Sequence, residues 1–188
     1  LIEQFSLDRV SKSGAKFDPE KTKWFNQQYL RMKTDSELAQ LFKPVVEEKL
    51  LIANGQRPTA DYLEKACKLI KEKAHFVSEF WSLGSYLFVT PESYDADVIK
   101  KRWNENTKKF IVEFAAVLSG VEPFIAVNVE ASFKQTCEKL GTKPGEVMQL
   151  FRVCISGVGG GPALFEMVEL LGKDVSVLRL KTALEKIN

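Results

Sequence analysis

An all-α fold in two small helical bundles is what this 188-residue sequence predicts. Three observations carry that expectation. Apolar residues recur at helical spacing through nearly the whole length. Strand and helix patterns do not alternate, which argues against a doubly wound sheet. Self-similarity at a fixed period is absent, which argues against a solenoid.

The elements follow in chain order. Asp18-Pro19 reads as an N-cap and first helical residue, because a carboxylate accepts from free N–H groups and proline has none to leave unpaired. The helix it opens places Phe25, Tyr29 and Met32 on one face and Lys23, Gln27 and Arg31 on the other. Thr34 and Glu37 have capping-box spacing and start a second helix through Leu41 and Phe42, which Pro44 is expected to bend or restart. Asn54 to Pro58 is a turn. From Thr59 an amphipathic helix carries Tyr62, Ala66, Leu69 and Ile70 inward, with Asp61, Glu64, Lys65, Lys68 and Lys71 as a mixed-charge outer face. The aromatic segment Phe76 to Phe88, with Trp81 and Tyr86, reads as helix from its context.

Thr90 to Asp95 is polar, contains a proline and divides the chain into subdomains 1–94 and 95–188. Beyond it, Asn104 to Leu118 is helical with Phe110, Phe114 and Val117 on its stripe and Gly120 as its cap. Asn128 to Leu140 repeats the pattern with Val129, Phe133, Cys137 and Leu140, and ends at Gly141. The helix after Pro144 buries Val147, Phe151 and Cys154; the last one buries Val177, Leu180, Leu184 and Ile187. Trp24 and Trp81 read as core, and Trp103 as core or as a stacking platform.

Composition limits the function classes. A 45% hydrophobic and 28% charged chain is an ordinary globular protein without the bias of disorder. A net charge of +2 is too small to argue for nucleic acid by itself. Apolar runs long enough for a membrane helix are absent, as is a signal peptide, so no membrane partner is expected. Three scattered cysteines, Cys67, Cys137 and Cys154, suit reduced thiols in a cytoplasmic setting. The chain begins at Leu1, which is expected of a piece of something longer. With no dimer motif, a monomer is expected.

Catalytic signatures are scarce. His75 is the single histidine, so a histidine-built metal site is excluded and the usual base for a serine or cysteine nucleophile is confined to one position. Gly157 to Gly161 lacks the Lys-Ser or Lys-Thr of a phosphate-binding loop. Carboxylate pairs such as Glu47-Glu48 sit among lysines as solvated charges. The expectation is no catalytic residue, no metal and no cofactor within this chain.

One stretch carries more. Gln149 to Gly157 is a helix bearing a single arginine, Arg152, and it runs into glycines. Gly160-Gly161-Pro162-Ala163-Leu164-Phe165 then opens a second helix. A helix N-terminus reached through glycines presents free N–H groups to an anion or a base edge.

Phe5 to Ser13, Phe17-Asp18-Pro19-Glu20-Lys21 and Trp24 to Arg31, taken with the closing run Arg152, Leu164-Phe165, Leu171-Gly172-Lys173 and Arg179-Leu180, resemble bacterial glutamyl-tRNA synthetases after their catalytic half. The match brackets the chain; from about Leu50 to Val127 it is looser. Arg9-Val10-Ser11-Lys12-Ser13-Gly14 looks like the lysine–serine loop of class I synthetases, but the dinucleotide-type fold and the histidine signature beside which that loop works are missing, so Lys12 reads as a surface lysine. The resemblance implies an anticodon-binding region of two helical subdomains. ATP and Mg2+ would serve the absent catalytic half, which would join glutamate to its tRNA. The implied partners are the glutamate tRNA and the protein's own catalytic domain.

The resemblance also assigns residues. Arg31 falls where an arginine favours the third anticodon base of glutamate tRNA over that of glutamine tRNA. Arg152 falls at the contact to the first anticodon base. Gly161 and Leu164 fall where the loop is met at the helix start. Some relatives carry threonine at the Gly161 position, so here only backbone contact is left, while Leu164 is placed to pack on a splayed base. Lys12, Lys23 and Gln27 are candidate phosphate contacts. Two rivals stand beside this reading: a helical protein–protein module anchored by an exposed tryptophan, and an enzyme using carboxylates in a deep pocket. RNA binding instead predicts a shallow basic groove between the bundles.

Overall fold

The computed structural model describes residues 17–52 and 57–187. Among the described residues the regular structure is ten α-helices and two short 3-10 turns, with no strand. The Lys12 segment lies outside the described residues.

Helix α1 (Pro19–Met32) starts as its sequence requires, with the Asp18 carboxylate accepting from the Glu20 and Lys21 amides. Helix α2 (Asp35–Ile52) follows the capping box: the Glu37 amide donates to Thr34 Oγ1 and the Thr34 amide to Glu37 Oε2. The Thr34 amide and hydroxyl both donate to that carboxylate and, the amide foremost, hold the Glu37 carboxyl below its ordinary pKa. Pro44 does not restart α2, which runs through it as one helix. The proline sits on the exposed side with Gln40, so the carbonyl it leaves without an amide partner is on the wet face. Helix α3 (Ala60–Ile70) buries Leu63, Ala66, Cys67 and Ile70. Its stripe is rotated slightly from the expected one, leaving Tyr62 and Leu69 half-buried. The aromatic segment is helical but broken: a 3-10 turn (Val77–Glu79), α4 (Phe80–Gly84) and a second turn (Ser85–Leu87). Phe42, Tyr62, Phe80, Trp81 and Phe88 meet there in edge and stacked pairs.

The second half holds α5 (Ala96–Arg102), α6 (Glu105–Ser119), α7 (Ala126–Leu140), α8 (Pro144–Ser156), α9 (Leu164–Leu171) and α10 (Lys173–Lys186). Phe110, Phe114, Phe133, Phe151 and Phe165 form its aromatic centre. Helix α10 packs on α6 and α8, α7 on α6 and α9, and α5 on α8. Val117 is exposed, and Ile111, Ala115 and Leu118 complete the α6 stripe instead. On α10 the buried stripe is Ser176, Arg179, Leu180, Ala183 and Ile187, one step round from the expected Val177 and Leu184.

The halves meet where α9 packs on α3 and on the Ser85–Leu87 turn. Buried apolar residues of both halves form one continuous cluster. Arg179, only 3% exposed, ties them further: Nη1 donates to the Ile155 carbonyl at 2.9 Å and Nη2 to the Val89 carbonyl at 3.0 Å. Burial pushes its pKa down to about 10, and it forms no ion pair among the described residues.

Trp24 is not core: it is 54% exposed, because α1 is held through its polar side. Asn26 donates to the His75 carbonyl, Gln27 to the Glu72 carbonyl at 3.4 Å, and Arg31 pairs with Glu72 at 3.1 Å. On the opposite face Trp24, Phe25, Tyr29 and Met32 point outward, and Phe17 before the helix is exposed too. Trp81 and Trp103 pack against the core. The three cysteines are buried and unpaired. His75 is half-buried, with its amide donating to Glu79 at 2.7 Å. Among the described residues no helix is long and apolar enough to cross a membrane, and no cluster of metal-ligating side chains occurs.

Candidate nucleic-acid interface

Helix α8 stops at Gly157, whose φ of +79° is a left-handed conformation that glycine adopts without strain. A Cβ there would also stand 2.7 Å from the Ser93 carbonyl. The loop that follows is tied down by Asp95. The Asp95 amide donates to the Gly157 carbonyl at 2.8 Å, and Asp95 Oδ2 accepts from the Gly159 amide at 3.3 Å. The other carboxylate oxygen of Asp95 caps α5 through the Asp97 and Val98 amides. One residue thus caps a helix and anchors the glycine loop.

At the far end of the loop Gly161 has φ +142°. Arg152, half-buried on α8, crosses the loop and donates from Nη1 to the Pro162 carbonyl at 2.8 Å. Its burial lowers the guanidinium pKa from the ordinary value. Helix α9 then starts at Leu164 with Ala163 as N-cap and no side-chain cap, so its first-turn amides are not met by a capping side chain.

The loop is a ridge between two hollows. On one side is a groove of about 390 Å³ between the end of α3 and the start of α9, lined by Lys68, Glu72, Lys73, Gly161, Pro162 and Glu166. On the other is a cleft of about 640 Å³ reached by Trp81, Tyr86, Ser93, Gly157, Gly160 and Gly161. The groove is not simply basic, since Glu72 and Glu166 stand beside Lys68 and Lys73. The basic groove expected of an RNA site is therefore a mixed one.

The sequence-chosen residues fall into three groups. Arg152 and Gly161 come together at the ridge. Leu164 is beside them but 5% exposed, so its side chain belongs to the core and only its backbone is available to the surface. Arg31, Lys23 and Gln27 lie on α1. Arg31 reaches the groove only through Glu72, and Gln27 only through the Glu72 carbonyl. Lys23 is exposed and bonded to Glu20 at 2.9 Å, which raises its pKa. The two arginines therefore approach one groove, Arg31 from the Glu72 side and Arg152 from the Pro162 side.

Sequence reasoning missed Lys68, Lys73, Tyr86 and Asp95. Lys68 reads as one more charge on an outer face. Asp95 carried a signal in the helix-start spacing before Ala96. Tyr86 carried none, because its partner region lies far along the chain.

An all-α fold with an arginine-bearing glycine ridge has the form of a helical binding module. Residues 37–184 match the model of the family described as "Anticodon binding domain", and the chain belongs to that family. The chain is 42% identical over 184 residues to the glutamate–tRNA ligase of Flavobacterium psychrophilum, covering 98% of this chain and 36% of that relative. It is 42% identical over 187 residues to the glutamate–tRNA ligase of Flavobacterium johnsoniae, covering 100% of the chain and again 36% of the relative. The crystal structure of a glutamate tRNA ligase from Elizabethkingia meningosepticum, in complex with its amino acid, superposes with a TM-score of 0.87 at 32% identity; it covers 100% of this chain and 36% of that one. The chain thus spans little more than a third of the length of these relatives.

Proposed function

We propose that this chain is the anticodon-binding part of a glutamate–tRNA ligase and holds the anticodon loop of glutamate tRNA. ATP-dependent attachment of glutamate then belongs to the part of the enzyme outside this chain, and the chain alone is inactive in that reaction. The observation that carries the reading is the ridge, where a half-buried arginine, bare glycine backbone and an uncapped helix start converge. Arg152 is the principal donor, an arginine fork suited to acceptors on a base edge. Gly161 and the Leu164 amide supply backbone contact. Lys68 and Lys73 flank the groove as phosphate partners, with Lys23 and Gln27 further out. Lys12 is a further candidate for a phosphate contact.

Arg31 takes a marginal part. Its guanidinium is held by Glu72 in a half-exposed ion pair, which a base must displace to engage it. The division of the chain at 94/95 makes two subdomains that grip the loop from either side of the ridge. The outward aromatic face of α1 fits a second partner, the catalytic part of the same protein, since the relatives extend well beyond the region matched. A monomer acting in the cytoplasm completes the reading.

The test is binding to two RNA stem-loops, one bearing the glutamate anticodon and one the glutamine anticodon, across a salt series. Tighter binding to the glutamate loop is expected, weakening as salt rises. Arg152→Gln is expected to lose about ten-fold or more. Arg31→Gln is expected to change the preference between the loops by about three-fold or less. Binding that ignores both salt and Arg152 would return the chain to the protein-interaction class.

A further inference from the structure

We propose that the Tyr86 hydroxyl is a second base-reading donor, acting with Arg152 on one acceptor atom of a nucleobase seated over Gly161; this rests on the reading of the chain as an anticodon-loop binder.

Tyr86 lies in the Ser85–Leu87 turn and is 6% exposed. Among the described residues its hydroxyl has no hydrogen-bond partner. A buried, unpaired hydroxyl is costly and is rarely left so without a use. The residue lines the 640 Å³ cleft beside Gly157, Gly160 and Gly161. A Cβ built on Gly161 would stand 3.0 Å from the Tyr86 hydroxyl oxygen and 3.2 Å from Arg152 Nη1. A side chain at this position would be crowded by both groups, so the bare glycine lets the phenol and the guanidinium converge on one point beside its backbone. Both groups donate. Burial pushes the phenol pKa up to about 12, against a smaller opposing pull from Arg152, so it keeps its proton at neutral pH. Two converging donors select an acceptor: a carbonyl oxygen or an unprotonated ring nitrogen on a base edge. A phosphate oxygen shares that chemistry but carries no base information, and the experiment separates the two.

Tyr86→Phe keeps the ring and removes only the hydroxyl. Its affinity is measured for the glutamate-anticodon stem-loop and for loops in which each anticodon base is replaced singly, with thermal melting of the chain in parallel. The expected result is an unchanged or raised melting temperature, since the hydroxyl has no partner among the described residues, and about five-fold weaker binding to the glutamate loop. That loss should disappear for one altered loop, the same one to which Arg152→Gln is indifferent. Equal binding by Tyr86→Phe and wild type overturns the role of Tyr86 and leaves the anticodon reading intact. A uniform loss across all loops marks a phosphate contact and overturns the base-reading role. A fall in melting temperature together with affinity marks a packing role. Failure of the wild-type chain to bind any loop overturns the anticodon reading and this assignment with it.

Discussion

Arg179 shows how much can hang on one side chain. It is a buried cation whose two hydrogen bonds end on carbonyls at Ile155 and Val89, one on the helix leading to the ridge and one in the first half. Arg179→Met keeps similar bulk but leaves both interior carbonyls unpaired, so a loss of about 2–5 kcal/mol is expected in urea unfolding. The cysteines make an opposite case, in which burial silences chemistry. Burial pushes the Cys67 and Cys154 thiols up to about 12, Cys67 with a smaller push from Asp35. At about pH 8 the thiolate is then roughly one part in ten thousand, and neither thiol reaches solvent. Iodoacetamide is expected to label them only when urea unfolds the chain, with mass spectrometry as the readout. At this scale the sequence was legible where the signal is local. Arg152 stands out beside its glycines. Arg179 and Tyr86 do not, because what defines them lies 90 residues away for the Val89 contact and across both halves for the ridge.

Helix boundaries were legible for the same reason. The Asp18, Thr34, Thr59 and Asn104 caps are local hydrogen bonds, and each occurs as the residue spacing requires. Stripe rotation on α3 and α10 was not, because which of two adjacent apolar rows turns inward depends on the neighbour it meets. The Phe76–Phe88 segment breaks into turns because its aromatic rings must reach Phe42 and Tyr62 from a short span. Asp95 is the element-scale test. Asp95→Ala removes the cap of α5 and the anchor of Gly159 together. The cap accounts for about 1 kcal/mol of lost stability, measured by thermal melting. The anchor should appear separately, as faster amide exchange at Gly159 than at amides inside α8. If exchange at Gly159 stays unchanged, the loop is held by the Gly157 carbonyl contact alone.

The whole molecule raises the question of whether two bundles are two folding units. Sequence pattern supports a division near Tyr94, since polar residues and Pro91 interrupt the helical periodicity there. Packing pulls the other way. Helix α9 touches α3 and the Ser85–Leu87 turn, Arg179 spans Val89 and Ile155, and the buried apolar residues join into one cluster. Cutting at 94/95 would expose Leu164 and the apolar surface of α3 together, and apolar area costs about 25 cal/mol per Å² to expose. That cost falls on halves whose own stability is marginal at this size. The expected behaviour is a single cooperative transition. Trp81 reports on the first half and Trp103 on the second, so single-tryptophan variants retaining one or the other should melt with the same midpoint, coincident with circular dichroism. Two separated midpoints would make the ridge a hinge between independent bodies, and the convergence of Tyr86 and Arg152 on Gly161 would then have to be assembled by the RNA rather than offered to it.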